Sequence, residues 1–246
     1  MNQLLLRRQV VDYCQLLWQK GFVGNHDGNI TVRIDGGKIL ATPTAFSKRM
    51  IKDEDLLVVE LSSGKVLQGR HSVFSELYLH TEFYQARPDV QAVIHAHPTT
   101  LCSFAAAGLE VEPRLTPEAV VSLGARIPLA PPVQPKSLAA KHQLRSLAPL
   151  FDVVLLGNHG PVAVGTDLEQ AYLRLELAEH LATIQQKAIW LGGCRLIPEG
   201  WVEDLLKARK KAGLGPEARG AKTPEGISLA NSPIDDLIKA MVGSVK

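Results

Sequence analysis

Apolar residues recur at helical spacing at the start of the chain. Leu6, Val10, Cys14 and Leu17 predict an amphipathic helix over residues 3–20, ended near Gly21. The period then shortens. Residues 30–34, 38–41 and 56–61 are β-branched runs separated by Gly36-Gly37, Thr42-Pro43 and Ser62-Ser63-Gly64, the pattern of antiparallel strands joined by turns. A helix is predicted over 73–86, stopping before Pro88. A brief buried strand at 92–94 and a helix from Pro98 to its stop at Gly108 follow. Residues 152–156 and 161–164 read as a hairpin across Gly157-Asn158-His159-Gly160. Thr166, three residues ahead of Glu169, reads as a capping box opening a long helix to Leu191, closed by Gly192-Gly193.

Strands and helices intermix without regular βαβ alternation, so the expected fold is α/β with a mixed, largely antiparallel sheet and helices packed on it. One domain is expected over 1–212. Residues 213–246 read as a Gly/Pro-rich C-terminal tail, over the surface or on a neighbouring subunit, with a last short helix over 234–242.

Charge narrows the function classes. Lys and Arg number 27 against 25 Asp and Glu, a net +2 with no dense basic patch, so no nucleic-acid partner is expected. Arg7 and Arg8 break the first apolar run, no secretory segment follows, and no stretch approaches the roughly 18 apolar residues of a spanning helix, so no membrane role is expected. Cys14, Cys102 and Cys194 are odd in number and far apart, which fits a reducing compartment and a cytoplasmic location. No G-x-G-x-x-G follows a strand, which argues against nucleotide binding.

Candidate chemistry gathers on histidines. His95 and His97 stand two apart at a strand end, where their side chains point the same way, and His159 follows another buried strand in a glycine-flanked turn. Three imidazoles with an open coordination position are the donor pattern of catalytic zinc. Spacing alone admits hydrogen-bonded core or turn histidines equally well, and His80, His142 and His180 are read that way. Glu76, four residues before His80 on one helix face, is either an acid favoured by the helix dipole or a site residue, if the fold brings it beside a metal. The loops 25–29 and 42–49 offer backbone N–H groups, hydroxyls and an amide able to hold an anion, although the same residues favour plain turns.

Taken in order, Gly28-Asn29-Ile30-Thr31-Val32-Arg33, Thr42-Pro43-Thr44, Ser75-Glu76, His95-Ala96-His97 and Gly157-Asn158-His159-Gly160 resemble the class II aldolase/adducin family over roughly residues 5–210. The resemblance implies a three-layer α/β/α sandwich and a homotetramer with active sites between adjacent subunits. It implies Zn2+ on His95, His97 and His159, with Glu76 as acid/base and as a further metal ligand when no substrate is bound. Three imidazoles favour zinc over Mn2+, Co2+ or Fe2+. Asn29, Thr44, Ala45 and Ser75 would form a phosphate subsite. The implied reaction makes or breaks a C–C bond in a small hydroxy-ketone, expected to be a sugar phosphate, through a metal-stabilised enediolate. Glutamate at 76 favours aldolase-like over epimerase-like members. Dehydration, epimerisation or decarboxylation of a sugar phosphate or of a keto or aromatic acid would use the same donors. A non-catalytic, adducin-like interaction domain would lack the metal histidines that this chain has. Three positions depart from the family pattern: Phe74 replaces a serine, Ala45 replaces a glycine, and Pro117-Glu118 stands where a proton-donating tyrosine is expected, making Glu118 a candidate proton carrier.

Overall fold

The computed structural model describes residues 3–35, 37–223, 228–231, 233, 234 and 236. After α1 (Gln3–Gln19) come β1 (Asn29–Asp35), β2 (Lys38–Ala41), β3 (Leu57–Glu60) and β4 (Val66–Gln68). Next are α2 (Leu77–Ala86), β5 (Ala92–His95), α3 (Thr99–Ala107), α4 (Pro117–Leu123), β6 (Leu129–Ala130) and α5 (Leu138–Leu147). The chain continues through β7 (Val153–Leu156), β8 (Pro161–Gly165), α6 (Leu168–Trp190) and α7 (Glu199–Lys211). The strands form one eight-stranded sheet in the order β4-β3-β2-β1-β5-β8-β7-β6. All pairs are antiparallel except β6 with β7, so the sheet is mixed and largely antiparallel, as expected.

Alternation along the strands divides the interior into two cores. Ile30, Val32, Leu40, Ala92, Ile94 and Ala163 pack with α1, α3 and α6 on one face. Ile39, Ala41, Val93, Val154, Val162 and Val164 pack with α2 and α5 on the other. Helices therefore cover both faces, giving an α/β/α sandwich.

Several boundaries differ from the sequence reading. The second helix begins at Leu77, not 73, because Val73 pairs with Pro43 in an isolated antiparallel bridge and Phe74 is buried ahead of the helix. This places Glu76 at the N-cap of α2 rather than inside the helix. The cap of α6 is Asp167 rather than Thr166. The Asp167 carboxylate accepts from the Gln170 backbone N–H, and Gln170 Oε1 accepts from the Thr166 N–H. Strands β4 and β6 and helices α4, α5 and α7 have no counterpart in the sequence reading. Most of the helix expected over 234–242 lies outside the described residues.

The far end of β7 is anchored by one buried carboxylate. Asp152 accepts from Arg87 Nη1 at 2.8 Å and from Arg209 Nη2 at 2.6 Å. Arg174 Nη2 and Arg219 Nη1 each lie 3.2 Å from it. Chain following α2, helices α6 and α7, and the segment beyond residue 213 thus meet at a single residue. Burial alone would raise the Asp152 carboxyl; the four guanidinium groups outweigh it and hold the group well below the usual carboxylate range.

Asp152→Asn leaves those guanidinium groups underneutralised and should lower stability at neutral pH by about 3–5 kcal/mol in urea unfolding. The wild-type advantage is present above the unfolded carboxyl pKa, about 3.9, and is lost as pH falls through the depressed native value. The difference between the two proteins should therefore narrow in acid. A difference that does not change with pH would exclude the carboxylate as its source.

Candidate metal centre and active site

The site is built at the end of β5. Asn29 of β1 pairs in register with His95, and Thr31 pairs with Val93. Alternation therefore puts Asn29, Thr31 and His95 on the α2 face of the sheet, polar positions in a surface otherwise apolar. His97 lies just beyond the strand, its backbone N–H donating to Phe22 O at 2.8 Å. The β7–β8 turn carries His159 to the same place, with Asn158 at φ 56°. Gly160 is required here. A Cβ on it would sit 2.6 Å from Ala96 O and 2.7 Å from His97 Cδ2. Gly28 is constrained by its positive φ (+71°), and a Cβ there would also fall 2.6 Å from Val23 Cγ1 and 3.2 Å from His95 O.

His95, His97 and His159 offer ring nitrogens that all lie within 4.8 Å of one another. The tautomers of the first two follow from their partners. His95 Nδ1 donates to the Pro161 carbonyl at 2.9 Å, and His97 Nδ1 donates to Asp27 Oδ2 at 2.8 Å. Both Nε2 atoms are then left to present lone pairs, and they face each other at 3.1 Å. Two lone pairs at that distance repel unless a positive charge, a shared proton or a metal ion, lies between them. A tetrahedral ion about 2.0–2.1 Å from each would hold them roughly 3.3 Å apart. The donor set therefore fits a divalent cation. The Pro161 and Asp27 contacts are of the kind that orient metal-bound imidazoles.

Glu76 completes the group. Its Oε1 is 2.9 Å from His159 Nε2, and its Oε2 is 3.7 Å from His95 Nε2. Asn29 Nδ2 donates to Oε2 at 3.0 Å. Burial alone would raise this carboxyl; the hydrogen bond from His159, the nearby imidazoles and the Asn29 amide hold it well below its ordinary range. Burial pushes His95 well down, so it is a neutral donor.

The structure treats the remaining candidates unequally. The bridge between Pro43 and Val73 and the Thr44 N–H donating to Ser72 O at 3.0 Å draw Thr44, Ala45 and Ser75 together, all three exposed. Ala45 adopts φ +60°, a conformation glycine takes freely and alanine resists. Phe74 turns inward, its ring 5.1 Å from that of His80. Lys48 is buried, its ammonium donating to His26 O and Phe46 O and so joining the two loops read as anion-binding. Glu118 is exposed in the first turn of α4, which packs on α6 and α7, and it makes no described contact with the cluster. His80 is buried as read, whereas His142 and His180 are exposed on α5 and α6 rather than buried. Sequence reasoning missed Asp27 as the partner of His97. It also missed a cavity of about 270 Å³ beside His159, lined by Tyr78, Pro131, Pro132, Val133, Gln143 and Asn158 among others. Asn29 and Thr31, polar on one face of an apolar strand, were the available signal that this face was special.

Residues 8–186 match the family described as the class II aldolase and adducin N-terminal domain. An L-fuculose phosphate aldolase of Methanococcus maripaludis is 32% identical over 176 residues, covering 71% of this chain and 92% of that protein. A 3-oxo-tetronate 4-phosphate decarboxylase of Pectobacterium atrosepticum is 30% identical over 205 residues, covering 82% and 91% respectively. A solved structure of L-fuculose 1-phosphate aldolase superposes with TM-score 0.74 at 26% identity, over 83% of this chain and 95% of that one.

Gly160→Ala should destabilise the chain by about 1–3 kcal/mol and weaken divalent-cation uptake, because the added methyl displaces the His97 ring. Gly24→Ala, with nothing within 4 Å of the new methyl, should change stability by under about 0.5 kcal/mol. Thermal unfolding and metal titration of both variants check the contrast.

Proposed function

The chain belongs to the class II aldolase and adducin N-terminal domain family, and from that premise we propose that it is a zinc-dependent lyase that makes or breaks a C–C bond in a small phosphorylated hydroxy-ketone. The single observation that carries the reading is the convergence of His95, His97 and His159 with Glu76 against them. A cation held by the three imidazoles would polarise the substrate's carbonyl and neighbouring hydroxyl oxygens and accept charge as the bond breaks. Neutral donors leave that ion its full positive charge. Glu76 holds or releases the proton of the reacting carbon at Oε1, once His159 Nε2 turns from that oxygen to the cation, while Oε2 stays with the Asn29 amide. Displacement from the metal by substrate would free Glu76 as a base.

Asn29, Thr44, Ala45 and Ser75 are proposed as the phosphate subsite, with backbone N–H groups and hydroxyls as donors. The cavity beside His159 takes the part of the substrate distal to the cation. We assign the protein to a homotetramer with sites between subunits. Trp190 and Leu191 at the end of α6 and Trp201 on α7 are 75%, 89% and 61% exposed, which supports association. Glu118, which makes no described contact with its own chain's cluster, would then serve as a proton carrier only across a subunit boundary. Decarboxylation of a phosphorylated keto acid is the second reading, favoured by the relationship to the 3-oxo-tetronate 4-phosphate decarboxylase.

Elemental analysis after dialysis should find zinc, and His97→Ala should lose most of it while remaining folded. Stoichiometric metal in that variant would remove His97 from the ligand set. Incubation with dihydroxyacetone phosphate and an aldehyde panel should yield aldol products. Release of carbon dioxide from a phosphorylated keto acid, with no aldol product, would select the second reading. Glu76→Gln should keep metal and slow turnover by about two to four orders of magnitude. Undiminished activity would exclude Glu76 as the acid/base.

A further inference from the structure

Behind Glu76, on the α2 face of the sheet, lies a chain of buried polar groups with no part in binding the cation. Asn29 Oδ1 is 2.6 Å from His80 Nε2, and His80 Nδ1 is 2.7 Å from Thr31 Oγ1. The Tyr84 hydroxyl is 3.0 Å from Thr31 Oγ1 and also 3.0 Å from the Thr31 carbonyl oxygen. His80 is fully buried, and Tyr84 is 3% exposed.

The direction of every hydrogen bond in this chain follows from one end. The ionised Glu76 carboxylate only accepts, so Asn29 must turn its NH2 toward it and its oxygen toward His80. That oxygen only accepts, so His80 must carry its proton on Nε2. Its Nδ1 is then bare and takes the Thr31 hydroxyl proton. Tyr84, in turn, must donate to Thr31. Asn29, His80 and the Thr31 hydroxyl each have one orientation that satisfies their neighbours, and reversing any one of the three leaves a buried polar atom unmatched, while the Tyr84 proton can go to the hydroxyl or the carbonyl oxygen of Thr31.

We infer that His80, with Nε2–H on Asn29 and Nδ1 capped by the Thr31 hydroxyl, is a positioning residue that locks the Asn29 amide and through it the orientation of Glu76. Without the His80 N–H the buried Asn29 oxygen loses its donor, and only the contact with Glu76 is left to hold the amide on its present face. Flipped, it would set its oxygen against the Glu76 carboxylate and repel it from the cluster. The anchored Asn29 also holds Oε2, so the network decides which Glu76 oxygen faces the histidines. This rests on the proposal that Glu76 is the proton-transfer group.

Two-bond proton–nitrogen correlation spectra of the 15N-labelled wild-type protein should show His80 protonated at Nε2 and bare at Nδ1. The opposite tautomer would overturn the inference. Thr31→Val, which removes only the hydroxyl cap on Nδ1, should leave His80 protonated at Nε2, because the Asn29 oxygen still accepts there; a switch to Nδ1–H would overturn the inference. On whichever reaction Glu76→Gln slows, His80→Leu should lower kcat by about 10- to 100-fold with little change in KM. His80→Gln, whose side-chain N–H can donate toward Asn29, should recover most of the loss. If leucine instead serves as well as glutamine, packing against Phe74 is all the ring contributes, and the inference fails. Should Glu76→Gln slow no reaction at all, the role of Glu76 is what has failed, and the tautomer spectra alone decide the relay.

Discussion

Two imidazole nitrogens whose lone pairs meet at 3.1 Å are a repulsive pair without a positive charge between them, and much of the molecule keeps them there. The register of β1 with β5 sets His95 beside Asn29, and hydrogen bonds to Pro161 and Asp27 fix how the rings turn. Gly160 lets the β7–β8 turn approach closely enough for His159 to join them. None of these contacts compensates for the repulsion by itself. Together they hold a donor set whose natural complement is a cation, and they explain why an acid, Glu76, lies against it.

The same region concentrates backbone conformations that L-residues resist. Asn25, Ala45 and Asn158 all adopt positive φ in loops flanking the cluster. Asparagine tolerates the left-handed region through local hydrogen bonding, whereas alanine does not, so the strain at Ala45 is held by the surrounding structure. Lys48, buried with its ammonium on carbonyls of both loops, is one of the ties that hold it. Burial weakens this cation, with the nearby charges of Asp27 and Glu76 working the other way.

Charge is handled differently at the opposite end of β7. There one carboxylate, Asp152, gathers four guanidinium groups from separate elements, and the arrangement is closed rather than open to a ligand. It joins the segment beyond residue 213 to the domain through Arg219. The two ends of the β7–β8 hairpin thus divide the work: a rigid ionic anchor at one, and at the other an accessible turn bearing His159.

Apolar periodicity located α1, and β-branched runs most of the strands, because such repeats must face a core whatever the partner, while start and stop residues such as Pro98, Gly108 and Gly192-Gly193 bounded α3 and α6. It did not reveal α7, where only Val202 and Arg209 are buried and the apolar stripe is too thin to read. It also extended α2 too far toward its start, since a bridge from Val73 to a distant residue overrides local helical preference. The histidine pair was legible because two imidazoles two apart at a strand end read as pointing alike, although His97 lies just past β5 and its bond to Asp27 is what orients the ring. Residue identity marked His159 and Glu76 as candidates, but not as neighbours. That His80 reaches Asn29, that Asp27 orients His97 and that Glu118 stays outside its own chain's cluster are long-range pairings. Such pairings are decided only when distant stretches of chain pack together: a one-residue slip of β1 on β5 would turn Asn29 and Thr31 away from the α2 face and from His80.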